Sequence, residues 1–143
     1  MNLEEALLLT RRRRDSSTEN LVVRMLRELP EAHRIERMLR IYSEQHPLSF
    51  EIARRTLTTR TLAEPFLSVV VSRGRLDAQT VRMLIEYFGP KLGLRRTLLV
   101  LAAELPRQPD LAGIVEYWLR RQLPTKQANA AVALFHRAGA SAS

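Results

Sequence analysis

Apolar residues return at helical spacing along this chain in short runs, and most runs are cut by a proline or a glycine. Leu21, Val22, Met25, Leu26 and Leu29 form one stripe, the i, i+1, i+4, i+5, i+8 pattern of a helix with one buried face. Ser16 and Glu19 stand just before it at capping-box spacing, so the box predicts the start of that helix. Pro30 opens a segment carrying Ile35, Met38, Leu39 and Tyr42 on one face, and Pro47 and Ser49 open another through Ile52, Ala53 and Leu57. Thr61 and Glu64 repeat the box spacing, with Pro65 expected in the first turn and an apolar run, Phe66 to Val71, ending near Gly74. Asp77 is the expected cap of a helix through Val81, Leu84, Ile85 and Phe88, with Gly89-Pro90 as its stop. Three further helical segments follow: KLGLRRTLLVLAAEL, then DLAGIVEYWLRRQL after Pro109, then TKQANAAVALFHRA after Pro124.

No stretch alternates with the period of a strand. The expected class is therefore all-α: a compact bundle of about eight short helices, antiparallel because their connections are short. Stacked helix pairs of a helical-repeat type are the alternative arrangement. Its sequence basis is the pair RMLRIY (37–42) and RMLIEY (82–87), together with IEYF (85–88) and VEYW (115–118). The two pairs differ in spacing, which is not how a repeat of fixed length behaves. The chain reads as a single helical domain over 1–143, with a short helix in 1–14 ending in a basic run and a flexible tail at 139–143. Segments 61–73 and 92–105 are apolar nearly all round and are the expected central helices.

A chain of 143 residues can bury a core without help from disulfides or metals. It contains no cysteine, which removes thiol catalysis and thiolate zinc sites. No apolar run approaches the ~18–20 residues that span a bilayer. The first residues place Glu4 and Glu5 before ALLL and the arginines after it, the reverse of a secretory signal. The expected location is cytoplasmic.

The net charge is +8, from 23 basic and 15 acidic residues. A basic balance suits nucleic acid, an anionic surface or an acidic protein. All but Lys91 and Lys126 of the basic residues are arginine.

The catalytic inventory is thin. His33, His46 and His136 lie on separate segments with no H-x-x-x-H or H-E-x-x-H pair. His46, before Pro47 at a helix end, reads as a surface cap. The carboxylates do not cluster, and no phosphate-binding glycine loop is present. No catalytic, cofactor-binding or metal-ligating residue is assigned, no cofactor is expected, and the chain reads as a non-enzyme.

Binding residues are easier to nominate. Arg11, Arg12, Arg13 and Arg14 form one basic run, and Arg54-Arg55, Arg95-Arg96 and Arg120-Arg121 form pairs. Guanidinium groups pair bidentately with carboxylate or phosphate. Tyr87 and Tyr117 each stand beside an aromatic of the apolar stripe and are rotated away from it, as partner anchors are. Trp118 falls on the stripe of Leu111, Ile114, Val115 and Leu119 and is expected to be buried. The run at Arg11–Arg14 follows acids at the start of an apolar helix, the order that complements a helix dipole. These residues together point to a protein–protein interaction module, an adaptor or subunit of an assembly. A nucleic-acid-binding domain using the same arginines is the alternative. The helix, Gly-Pro turn and helix of residues 76–100 could be a helix-turn-helix, but its second helix is too apolar to lie in a groove.

Overall fold

The computed structural model describes residues 1–13 and 15–142, and Arg14, the last member of the basic run, lies outside the described residues. Among these residues there are nine α-helices and no strand. The chain divides into two compact units, Met1–Phe66 and Leu67–Ser143.

The first unit contains α1 (Leu3–Arg12), α2 (Ser16–Arg27), α3 (Glu31–Ser43), α4 (Ser49–Thr56) and the start of α5 (Arg60–Arg73). Helix α2 is its hub, packing on α1, α3 and α4. It can do so because Val22, Val23 and Leu26 are all buried on its one apolar stripe. Ala6 and Leu7 of α1, Met38 and Ile41 of α3, and Ile52 and Ala53 of α4 close over that stripe. Tyr42, half-buried, meets Phe50 and Phe66 with ring centroids 5.8 and 6.1 Å apart, and burial pushes its phenol pKa up.

The second unit holds the rest of α5 with α6 (Ala78–Leu92), α7 (Leu94–Ala102), α8 (Leu111–Gln122) and α9 (Thr125–Ala142). Here the packing closes a ring: α6 on α7, α7 on α9, α9 on α8, and α8 back on α6. Leu84 and Phe88, Leu98 and Leu101, Val115 and Leu119, and Val132 and Phe135 supply its core from the four helices in turn.

The helix boundaries depart from the sequence reading where a neighbouring residue offers a better cap. Helix α2 is capped by Asp15 and not by the Ser16 box: its carboxylate accepts from the Thr18 amide at 2.9 Å. Thr59 does the same for α5, accepting from Leu62 N–H at 3.3 Å, which moves Pro65 beyond the first turn. The cost is small because Pro65 and Thr61, whose carbonyl loses its donor, are both exposed. Helix α5 is also less enclosed than expected, since Thr61, Pro65, Ser68 and Ser72 make an exposed stripe along it.

Gly89-Pro90 does not stop α6, which runs to Leu92. A proline in a last turn removes one backbone bond only. The break comes at Gly93, whose φ of +87° is open to glycine and strained for other residues. Helix α9 continues past the expected tail to Ala142 because Gly139 is buried against Leu105. A Cβ at Gly139 would collide with Leu105 Cδ1.

Candidate interaction site

The acids-first, bases-last pattern of α1 resolves into a capped helix. Asn2 accepts from the Glu5 amide at 2.9 Å, Glu4 and Glu5 occupy the first turn, and Arg11 and Arg12 the last. Arg11 turns back to donate to the Glu44 carbonyl at 2.9 Å. Arg12 and Arg13 are exposed, and the Arg13 amide closes α1 on the Leu9 carbonyl at 2.7 Å.

Several other arginines of the first unit are used in the same inward manner. Arg27 donates through Nε and Nη2 to the Arg55 carbonyl at 3.0 and 2.6 Å. Arg34 reaches the carbonyls of Arg27 and Leu29 at 2.8 and 3.1 Å. Arg37 pairs with Glu4. Arg55 donates to Asn20 at 2.5 Å and stands 3.6 Å from Glu19. Arg54, exposed, also has a partner within the protein. These guanidiniums tie helix ends and carbonyls together, and each such contact removes an arginine from the set that could meet a ligand.

His46 is the residue most clearly misread from sequence. It is 4% exposed, not a surface cap. Its Nδ1 accepts the Leu48 amide at 3.1 Å, so Nε2 carries the proton. That proton faces Thr10 Oγ1 at 2.9 Å and the Leu7 carbonyl at 3.2 Å, while the Thr10 hydroxyl donates to Leu7 O at 2.7 Å. A nucleophile–base pair needs the hydroxyl to donate to a free imidazole lone pair. Here both directions are reversed, and the pair pins α1 to the α3–α4 turn. Two polar residues separated by thirty-six positions gave no local signal.

The second unit exposes a tyrosine. Tyr117 on α8 is 56% exposed, and its ring lies edge-on to Trp118 at 5.2 Å and 79°. Trp118 is half-buried, not enclosed. Leu111, Val115 and Leu119 take the centre of the buried arc of α8, leaving Ile114 and Trp118 on its flank. Arg82 of α6 stacks on the Trp118 ring, 5.5 Å from its centroid, and bonds Glu86 at 3.0 Å. Gln122 also reaches Glu86, at 3.4 Å. Arg121 lies 3.4 Å from the Tyr117 hydroxyl, and Arg120 is held by Glu116 at 3.1 Å and Asn129 at 2.6 Å. The indole Nε1 is buried and has no hydrogen-bond partner among the described residues. Of the nominated residues, the structure thus brings Tyr117, Arg120 and Arg121 together on α8. Tyr87 is half-buried and, like exposed Arg96, already has a partner within the protein.

The same unit holds at least two concavities. One, of about 620 Å³, is bordered by Arg73, Arg75, Asp77, Arg107 and Asp110. Arg107 is spent on its own loop, bonding Glu104 at 2.7 Å and the Val71 and Gly74 carbonyls at 2.9 and 3.2 Å. Asp77 caps α6: the Thr80 amide, at 2.8 Å, followed by the Thr80 hydroxyl, holds its carboxyl pKa below the usual aspartate value. A second, of about 360 Å³, runs between α7 and α9 and includes Arg95. No group of three or more histidines and carboxylates able to hold a metal ion occurs among the described residues. No helix among them is long and apolar enough to cross a membrane. No protein-family model, curated protein or solved structure matches this chain.

Proposed function

We propose that this chain is a helical protein–protein interaction module, without catalysis of its own, that takes its partner on the α8 face of residues 67–143. The observation that carries this reading is the exposed Tyr117 ring set edge-on against half-buried Trp118, with Arg82 and Arg121 at either side. Tyrosine, tryptophan and arginine dominate the binding energy of protein interfaces, because each offers a large contact area with a polar end. The rings are pre-positioned, so little side-chain freedom is lost on contact.

Nucleic acid is the second reading, on the arginine pairs and the basic run. The α8 face favours protein over it. Base stacking needs an open ring face, and Arg82 already covers a face of Trp118. Glu86 and Glu116 lie within the cluster and would repel phosphate.

The test is site-specific photo-cross-linking in host cells from position 117, with position 8 as control, since Leu8 is 51% exposed on the other unit. The expected result is one protein adduct from position 117. Its purified partner should bind the Tyr117→Ala variant roughly thirty-fold more weakly, the loss typical of an aromatic anchor. Nucleic-acid adducts from position 117, or equal affinity of the variant, contradict the proposal.

A further inference from the structure

The groove between α7 and α9 joins an aliphatic floor to two unspent charges. Leu94 and Leu98 of α7 and Ala131 and Leu134 of α9 line it, and Arg95 and Arg137 border it from the two helices. Leu98 and Ala131 are buried, Leu94 and Leu134 are half-exposed, and both arginines are exposed. Neither guanidinium has a hydrogen-bond or ion-pair partner among the described residues, unlike Arg82, Arg107 and Arg120 of the same unit, which bind glutamates. Their own helices offer none, for α7 and α9 contain no aspartate or glutamate.

We infer that this groove receives an acidic amphipathic helix of a partner protein, with apolar side chains on the leucine–alanine floor and carboxylates on Arg95 and Arg137. An amphipathic helix fills such a groove through anchors at i, i+3 or i+4 and i+7. A volume of about 360 Å³ is within the range of ligand-sized pockets. The charge argument selects the sign of the ligand: residues 67–143 hold eleven basic and five acidic residues, so an acidic partner is steered to this unit and a basic one repelled. The lining selects the class. All seven of its residues are leucine, alanine or arginine, with no aromatic ring among them, so there is no platform for stacked bases. Arginine on both borders suits carboxylates presented from two sides of one helix. This site uses none of the α8 side chains and is separable from the reading above.

The experiment is an NMR titration of the full chain with a synthetic helical peptide bearing leucines at i, i+3, i+4 and i+7 flanked by glutamates. A peptide with lysine in place of each glutamate is the comparison. The expected result is saturable shifts confined to residues 94–98 and 130–137, unchanged by Tyr117→Ala. Arg95→Glu with Arg137→Glu should weaken the glutamate peptide about ten-fold or more and let the lysine peptide bind, since two partly exposed charge pairs are reversed. Ala130→Glu, at an exposed lining position, should give the same loss with an unchanged circular dichroism spectrum. Equal binding of both peptides, shifts centred on α8, or no saturation overturns the inference. So does occupation of the groove by single-stranded DNA or anionic vesicles at lower concentration than the peptide, or by a second copy in concentration-dependent spectra without peptide.

Discussion

Residues 1–66 and 67–143 draw on the same arginine-rich composition and each leave three described arginines exposed without a side-chain partner, but the second sets two of them on one groove. The first stretch holds twelve basic and ten acidic residues, the second eleven and five. In the first, Arg11, Arg27 and Arg34 donate to backbone carbonyls and Arg37 and Arg55 meet carboxylates. Arg12, Arg24 and Arg60 are its exceptions, exposed with no side-chain partner among the described residues. In the second, Arg73, Arg95 and Arg137 stand exposed without such a partner, two of them on one groove. The lesson is that arginine content does not identify a binding surface. An arginine that satisfies a helix-end carbonyl is structure, and only the remainder is available to a ligand.

The comparison can be broken first at His46, where the largest effect on stability is expected. His46→Ala leaves the Leu48 amide without its acceptor and opens a gap between α1 and the α3–α4 turn. It should cost about 2–3 kcal/mol in chemical denaturation and leave partner affinity unchanged. A loss below ~0.5 kcal/mol, the range of ordinary surface substitutions, would mean that the pin is not structural.

The next contrast is between arginines. Arg27→Gln should cost about 1 kcal/mol, because two charge-assisted bonds to a carbonyl are lost at an exposed site. Arg95→Gln with Arg137→Gln should stay within about 0.5 kcal/mol of the parent. Equal losses from the two changes would erase the distinction between spent and unspent arginines.

The caps give an effect no larger than that of Arg27→Gln and should behave alike in both units. Asp77→Ala should cost about 1 kcal/mol, the usual loss of a helix N-cap, and Asp77→Asn much less. Asp15 and Asp77 both have carboxyl pKa values lowered chiefly by the backbone amide three residues on, Thr18 and Thr80. A carboxyl pKa that is lower in the folded chain adds stability that is whole above the unfolded aspartate pKa. That stability is lost as pH falls through the lower, folded value. Thermal melts between neutral and acid pH should therefore show a decline that is shallower in Asp77→Asn. An identical acid decline would remove the cap from the account.

The all-helical class was legible because it rests on local signals, apolar period and breakers, which reported every helix of both units. Its errors were of two kinds. Caps were displaced by one or two residues wherever an adjacent Asp15 or Thr59 competed with the box, and Pro90 was read as a stop although Gly93 carries the turn. The other errors were tertiary. His46 is buried through contacts with α1, and Trp118 sits at the flank of its stripe because Val115 and Leu119 take the centre. The candidate site was legible only in part. Tyr117, Arg120 and Arg121 lie together because one helix turn places them so, whereas Arg82 joins from α6 and Arg137 faces Arg95 from α9. Which arginines are spent inward depends on carbonyls as far as thirty-six residues away, and no spacing rule reads that.

The most direct test of the division is hydrogen exchange at the arginine side-chain Nε–H groups, resolved by NMR in the full chain without ligand. The account predicts slow exchange and restricted motion for Arg27, whose Nε donates to the Arg55 carbonyl at 3.0 Å. It predicts free-arginine exchange rates for Arg95 and Arg137, which slow only when the acidic peptide is bound. Protected Arg95 and Arg137 in the free protein, or an Arg27 that exchanges as fast as they do, would contradict it.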